Sequence, residues 1–357
     1  MRICMFGAYQ HDDERNRIFF KALQSADLAC VECHSRLPST SRRYRQLYQR
    51  YQEVAQDGVD AIYVGKIGHG DVPLAWALGR RYGVPVFFDA FVSMFDTYVN
   101  DRQRHGRYSA KALYYYLLDY QAAHLAQHVV LDTTAHIDYF ARTFHVNRHK
   151  FRLLPIGADD TVFFPQQDPA VTLVDTPLSV LFIGTYIPLH GVDVILRAAK
   201  ILQTQNVDVT FRLLGKGQTY PAMRRMATDL DLVNVRFEDP VPLEELPMAM
   251  AGADILLGIF GVSNKAHNVV PNKAYQAIAM RKPLITADTP ASREVFTQRQ
   301  DAFLCPPGDP VALAGAVKTL CEDPQLRQSI AQQGYDLFQR SFSIAQIGVR
   351  LKAMLQA

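Results

Sequence analysis

Short apolar, β-branched runs alternate along the chain with stretches whose apolar residues recur at helical spacing. That is the pattern of a parallel sheet covered by helices. In the first half the strand-like runs are Arg2–Phe6, Ala29–Cys33, Ala61–Val64, Val84–Phe88, His128–Leu131 and Phe151–Pro155. Helical patterns lie between them at Asn16–Ser25, Arg42–Ala55, Val72–Tyr82, Lys111–Ala126 and Ala135–Phe144. From Pro165 to Pro177 the segment PQQDPAVTLVDTP keeps neither period and is polar and proline-rich, which predicts a linker. The alternation then restarts. LSVLFIG, VTFRLLG, VNVRF, ADILLGI and KPLIT read as strands, with helices over Val192–Gln203, from Tyr220, and near Leu243–Met250, Asn272–Met280 and Pro310–Glu322. Gln325–Leu355 predicts a helix broken at Gly334 and at Ser341–Ser343.

This organisation predicts two Rossmann-like domains, 1–165 and 166–340, with a C-terminal helix at about 341–357 packing back on the first. Ligands of open α/β sheets bind beyond the carboxyl ends of the strands, so a site in a cleft between two facing domains is expected. No apolar run approaches the ~20 residues that span a bilayer. MRICMFGAY reads as a first strand rather than a signal peptide, so a cytoplasmic location is expected. Five scattered cysteines agree with that. Cys30 and Cys33 would point to opposite faces of a strand, which disfavours a disulfide or a metal site.

A net charge of +3 is too small to imply nucleic acid, but its whole excess lies within residues 1–165. There SRLPSTSRRYRQLYQR carries Arg36, Arg42, Arg43, Arg45 and Arg50 with no acid. The segment reads as a solvated helix face or as a patch drawing the protein to anionic lipid or to a phosphate-bearing acceptor. The tyrosine-rich KALYYYLLDYQ, after RQRHGR, reads as a helix packed on its own sheet or as one resting on a membrane interface.

From Gly184 onward the chain resembles the donor-binding domain of the family-4 glycosyltransferases. FIGTYIPLHGVDVILRAAK stands for their strand, G-R-x-x-x-x-K-G turn and helix, and RLLGKGQ for their L-x-G-x-G turn. HNVVPNKAYQAIAMRKPLITAD stands for E-x7-E leading into E-A-M-A-x-G-K-P-V-I, and FLCPPGDPVALAGAV for L-V-P-P-G-D-x-x-x-L-A-x-A-I. LPIGADDTVFFP resembles the segment that closes their first domain. The resemblance implies the GT-B fold, two Rossmann-like parallel-sheet domains facing each other across a cleft. It also implies retaining transfer of a sugar from a nucleoside-diphosphate sugar to a hydroxyl acceptor in glycan or glycolipid assembly. The donor is then a co-substrate bound with no cofactor and no metal. The acceptor is unknown, lipid-linked or phosphate-bearing candidates being compatible with peripheral membrane contact.

The departures concern charge. Thr185 and His190 occupy the family's Arg and Lys positions, Asn268 and Gln276 replace both glutamates, and Asp89 stands where a histidine is common. Pro271-Asn272-Lys273 starts a helix, whose N–H groups and dipole favour phosphate, so Lys273 is the expected substitute cation. His190, before Gly191, is expected to donate to a phosphate oxygen. Gln276, on the face of Lys273, falls to ribose hydroxyls, and Asn268 with Val269 to the sugar. Gly7, Gly184, Gly215 and Lys216 mark turns that let backbone approach the ligand. Asp89, with Ser93 and Asp96 after the fourth strand, is expected to face the cleft and orient the acceptor hydroxyl or act as base. For each, the bland alternative is a capped turn, a solvated lysine or a packed polar group. Asp229 and Asp231 mimic a metal-binding D-x-D but fall at a helix end. A catalytically impaired nucleotide-sugar-binding protein and a UDP-sugar epimerase are the alternatives; the epimerase would need carboxylates where this chain has amides.

Overall fold

The computed structural model describes residues 1–166 and 177–357. The predicted linker falls largely on 167–176, outside the described residues. The chain divides into two compact units, Met1–Ile156 with Ile344–Ala357, and Gly157–Ser343. The sequence pattern places that division at 165. Residues just past 156 instead tie into the second unit, where the Ala158 N–H donates to the Phe342 carbonyl at 3.3 Å.

The first unit runs β1 (Arg2–Gly7), α1 (Glu14–Ser25), β2 (Ala29–His34), α2 (Thr40–Ala55), β3 (Ala61–Val64) and α3 (Val72–Tyr82). It continues with β4 (Val86–Asp89), α4 (Ala110–Leu125), β5 (His128–Leu131), α5 (Thr134–Phe144) and β6 (Phe151–Leu153). All neighbours pair in parallel, in the order β2-β1-β3-β4-β5-β6. The central strands β3 and β4 are buried along their whole length, as a sheet covered on both faces requires. β4 starts at Val86 rather than Val84, because Pro85 has no N–H to give a ladder; its carbonyl accepts from Ile62. Asp13 caps α1 by accepting from the Arg15 N–H at 3.1 Å.

The second unit runs β7 (Leu178–Ile183), α6 (Val192–Thr204), β8 (Val209–Leu214), α7 (Tyr220–Asp229), β9 (Val235–Glu238), α8 (Leu246–Ala251) and β10 (Ile255–Leu257). Then follow α9 (Asn264–Asn268), α10 (Asn272–Ala279), β11 (Leu284–Ala287), α11 (Pro290–Val295), β12 (Phe303–Cys305), α12 (Pro310–Glu322) and α13 (Pro324–Ser341). Its parallel order is β12-β11-β10-β7-β8-β9. Ile195, Ala199 and Leu202 of α6 and Leu313, Val317 and Leu320 of α12 share one core with Phe182, Phe211 and Ile255 of the sheet.

α13 runs unbroken through Gly334, where a break was expected. A Cβ there would lie 2.9 Å from the Asp301 carbonyl oxygen and 2.9 Å from Ile278 Cγ2, so this glycine permits close helix packing. The break at Ser341–Ser343 is real. α14 (Ile344–Gln356) returns to the first unit and packs on α1, close enough that a Cβ at Gly348 would meet the Ala22 carbonyl at 2.8 Å.

Candidate functional site

At the carboxyl ends of β7 and β8 the chain leaves each strand through a glycine. Gly184 has φ +156° and Gly215 φ +136°, conformations that favour glycine. The two ends touch so closely that a Cβ on Gly215 would strike the Gly184 carbonyl oxygen. Backbone bonds join the two loops: Gly184 N to Leu214 O at 3.0 Å, Tyr186 N to Lys216 O at 3.1 Å and Thr219 N to Tyr186 O at 3.0 Å. Tyr186 is buried and donates its hydroxyl to the Leu213 carbonyl at 3.1 Å.

The β7 loop then makes a short 3-10 turn, Pro188–His190, and enters α6 through Gly191 at φ +62°. No side chain fits at Gly191, since a Cβ would lie 2.5 Å from the Phe260 carbonyl carbon. The loop after β10 holds this turn, Phe260 N donating to His190 O and Gly261 N to Leu189 O, both at 3.1 Å. Val269 packs with Leu189, Ile259 and Ala266 in a small apolar cluster, which braces α9 against the same turn.

α10 begins at Asn272 with Pro271 as its N-cap, so Lys273 is the helix's second residue. The Lys273 ammonium reaches back over the Phe182 ring, 4.0 Å from its centroid. A Cβ at Gly184 would lie 2.6 Å from Lys273 Nζ and 3.0 Å from His190 Cε1. The His190 ring in turn meets Phe182 edge-on at 5.5 Å. Gly184, His190 and Lys273, far apart in sequence, thus converge on one aromatic floor.

Lys273 as a residue keeps some exposed surface, but its Nζ is out of solvent and has no hydrogen-bond partner among the described residues. Burial drives its pKa well below the usual lysine value. A buried polar group without a partner costs about 1–3 kcal/mol. The ammonium thus lies beside the α10 N-terminus and the open-backboned Gly184, where helix N–H groups and dipole favour an anion.

The other expected donor residues fall around this centre. Gln276 on α10 and Asn268 at the end of α9 are both buried. Thr185 and Lys216 are exposed. Lys216 lies 2.7 Å from Asp239, whose hydrogen bond raises its pKa. Asp229 and Asp231 are exposed at the end of α7. Phe182, read from sequence as strand core alone, is the residue the reading missed.

In the first unit Gly7 ends β1 at φ +113°. Asp71 clamps the following turn, accepting from Ala8 N at 2.9 Å and from Arg43 Nε at 2.8 Å. Asp89 is almost solvent-free, and its Oδ2 accepts from Arg15 Nε at 2.9 Å and from the Tyr63 hydroxyl at 2.7 Å. Arg15 also ties to the Leu154 and Pro155 carbonyls at 2.9 and 3.1 Å. Burial works against the guanidinium's charge, but Asp89 outweighs it and holds the Arg15 pKa above the ordinary value. Ser93 and Asp96 are buried too, Ser93 donating to Asp119 at 2.7 Å and Asp96 accepting from Asn100 at 2.9 Å. Asp89 and Ser93, expected to face a ligand, are occupied inside the unit, while Asp96 Oδ2 is buried without a hydrogen-bond partner among the described residues. Of the basic segment, Arg43 and Arg50 are tied to Asp71 and to the His34 carbonyl, while Arg36, Arg42 and Arg45 are exposed.

The two sheets and their connections define a GT-B fold, and residues 177–323 match the family model Glycosyl transferases group 1. A probable glycosyltransferase of Pseudomonas aeruginosa, WbjE, is 28% identical over 148 residues, 40% of this chain and 35% of that protein. D-inositol 3-phosphate glycosyltransferase of Streptomyces avermitilis is 25% identical over 216 residues, 56% of this chain and 46% of that protein. The matches thus span less than half of each relative's length. In fold, Anabaena Alr3699/HepE, solved in complex with UDP, superposes with a TM-score of 0.72 at 14% identity over 100% of both chains.

Proposed function

We propose that this chain is a glycosyltransferase that takes a hexose-type sugar from a nucleoside-diphosphate sugar and passes it to a hydroxyl acceptor with retention of configuration. The observation that carries this reading is the buried Lys273 ammonium, with no hydrogen-bond partner among the described residues, beside Gly184 and His190. In this reading the diphosphate lies at the start of α10, on the Asn272 and Lys273 N–H groups and the Lys273 ammonium. His190 donates to a phosphate oxygen. Gly184, Gly191 and Gly215 keep side chains out of the ligand's path, and Thr185 and Lys216 stand at its rim. Gln276 takes the ribose hydroxyls; Asn268 and the Val269 backbone take the sugar.

In transfer, the bond from the anomeric carbon to the diphosphate oxygen breaks and the bond to the acceptor oxygen forms. The acceptor proton passes to the departing phosphate, and Lys273 and His190 stabilise the charge that develops there. Asp89, held by Arg15 and Tyr63, keeps the first unit's strand ends in place and need not take a proton. The same charges neutralise the diphosphate without a divalent cation, so turnover should survive EDTA. The donor nucleotide in this reading is UDP or GDP, UDP being what the Anabaena neighbour was solved with. A cytoplasmic role in glycan or glycolipid assembly belongs to the same reading.

Release of UDP or GDP across a panel of sugar nucleotides, with product anomers read by NMR, tests the proposal. Nucleotide binding without release would mark a binding protein. A C2-inverted sugar nucleotide as product would mark an epimerase.

A further inference from the structure

α4 is arranged inside out. It turns small residues inward, Ala112, Ala122 and Ala123 with the carboxylate of Asp119, and packs on α3. Tyr116 and Leu125 pack on the core, but four large residues are left outside: Leu113 is 59% exposed, Tyr114 56%, Leu117 51% and Tyr120 37%. Leu113, Leu117 and Tyr120 follow each other at i, i+4 and i+7, so they form one stripe. Tyr108, in the turn before the helix, is 99% exposed. A groove of about 310 Å³ opens between Phe95, Tyr108, Leu113 and Tyr116, with Arg107 on its lining. Exposed apolar surface gathered like this, rather than scattered singly, marks a contact surface.

The rim is cationic. Arg104, Arg107 and Lys111 are exposed, and Arg102 half-buried. Arg104 lies over the Tyr98 ring at 5.7 Å, and Tyr98 stacks on Tyr115 at 4.9 Å, so the cations join the aromatic surface. From Arg102 to Leu125 the one carboxylate is Asp119, and it is buried. Tyrosines and leucines ringed by Arg and Lys suit the interface of an anionic bilayer, where rings sit at headgroup depth and cations meet phosphate. A second copy of this chain suits it less well. A two-fold contact through this patch would set Arg104, Arg107 and Lys111 of one copy against the same cations of the other.

We propose that the outer face of α4, with the basic turn that leads into it, docks the protein on an anionic lipid surface. The claim is independent of the donor site in the second unit. Co-sedimentation of the full chain with vesicles of phosphatidylcholine alone, or with added phosphatidylglycerol, tests it. The protein should sediment with the anionic vesicles and come off as salt is raised. Arg104→Ser and Arg107→Ser should each lower partitioning about fivefold. Leu113→Gln with Leu117→Gln should lower it at least about tenfold. Thermal midpoints should hold, because these side chains are outside the core. Wild-type protein left in the supernatant at low salt would overturn the proposal. So would binding that depends on Arg42→Ser and Arg45→Ser but not on the α4 changes, or a dimer in sedimentation equilibrium that the α4 changes disperse.

Discussion

Lys273 Nζ stands 4.0 Å from the centroid of the Phe182 ring, an ammonium held by an aromatic face with no hydrogen bond among the described residues. The ring's quadrupole offsets part of the cost of desolvating that charge, by about 2 kcal/mol at best. The remainder is what an anionic ligand can recover.

The first prediction concerns pH. Burial lowers the Lys273 pKa in the free protein, and a diphosphate beside it must raise it again. Above the free-state pKa, binding therefore takes up a proton, and affinity falls as pH rises toward the bound-state pKa. Working above about pH 7.5 keeps the nucleotide's terminal phosphate, second pKa near 6, out of the count. Titrations in buffers of different ionisation enthalpy should reveal proton uptake that disappears in Lys273→Arg, whose guanidinium stays charged.

The same linkage sets stability. With the folded pKa depressed below the unfolded one, the unfolded state binds more protons between the two values, so stability rises with pH across that window. Wild-type thermal midpoints should climb there relative to Lys273→Met. Parallel curves would contradict the assignment.

The two strand-end glycines should differ. A Cβ at Gly184 meets the tip of Lys273, a flexible chain that can swing aside, while a Cβ at Gly215 meets the Gly184 backbone. Both substitutions pay for positive φ, about 1–2 kcal/mol. Gly215→Ala should lower the midpoint further than Gly184→Ala, whereas Gly184→Ala should mainly weaken nucleotide binding. Equal losses of stability would sink this reading of the contact.

Asp89 should prove structural. Removing one partner of its buried pair with Arg15 leaves an uncompensated charge, a loss of about 3–5 kcal/mol. Asp89→Ala should unfold well below wild type, and what remains folded should retain nucleotide affinity. A stable variant with transfer abolished would restore Asp89 to the role of a base.

What the sequence disclosed and what it hid follow one physical division. Gly184, Gly191 and Gly215 were legible because a strand that ends in glycine before a helix is a local signal. The helix start that places Lys273 was legible because Pro271 announces it two residues earlier. Phe182 was not, since its part depends on a lysine 91 residues away reaching over its ring. Asp89 was legible only in part for the same reason: its position after a strand is local, but its partner Arg15 lies 74 residues away. Gly334 looked like a break because glycine weakens helices, until α10 and Asp301 showed what its missing Cβ makes room for.

The most direct test of the donor-site account is calorimetric titration of UDP and GDP into wild-type protein and Lys273→Met, with thermal midpoints taken alongside. Methionine fills the same space without charge, so the free variant should be at least as stable as wild type. Loss of the charge-assisted phosphate contact should weaken binding by about 1.5–3 kcal/mol, a 10- to 150-fold rise in Kd. Unchanged affinity in a folded Lys273→Met protein would contradict the account.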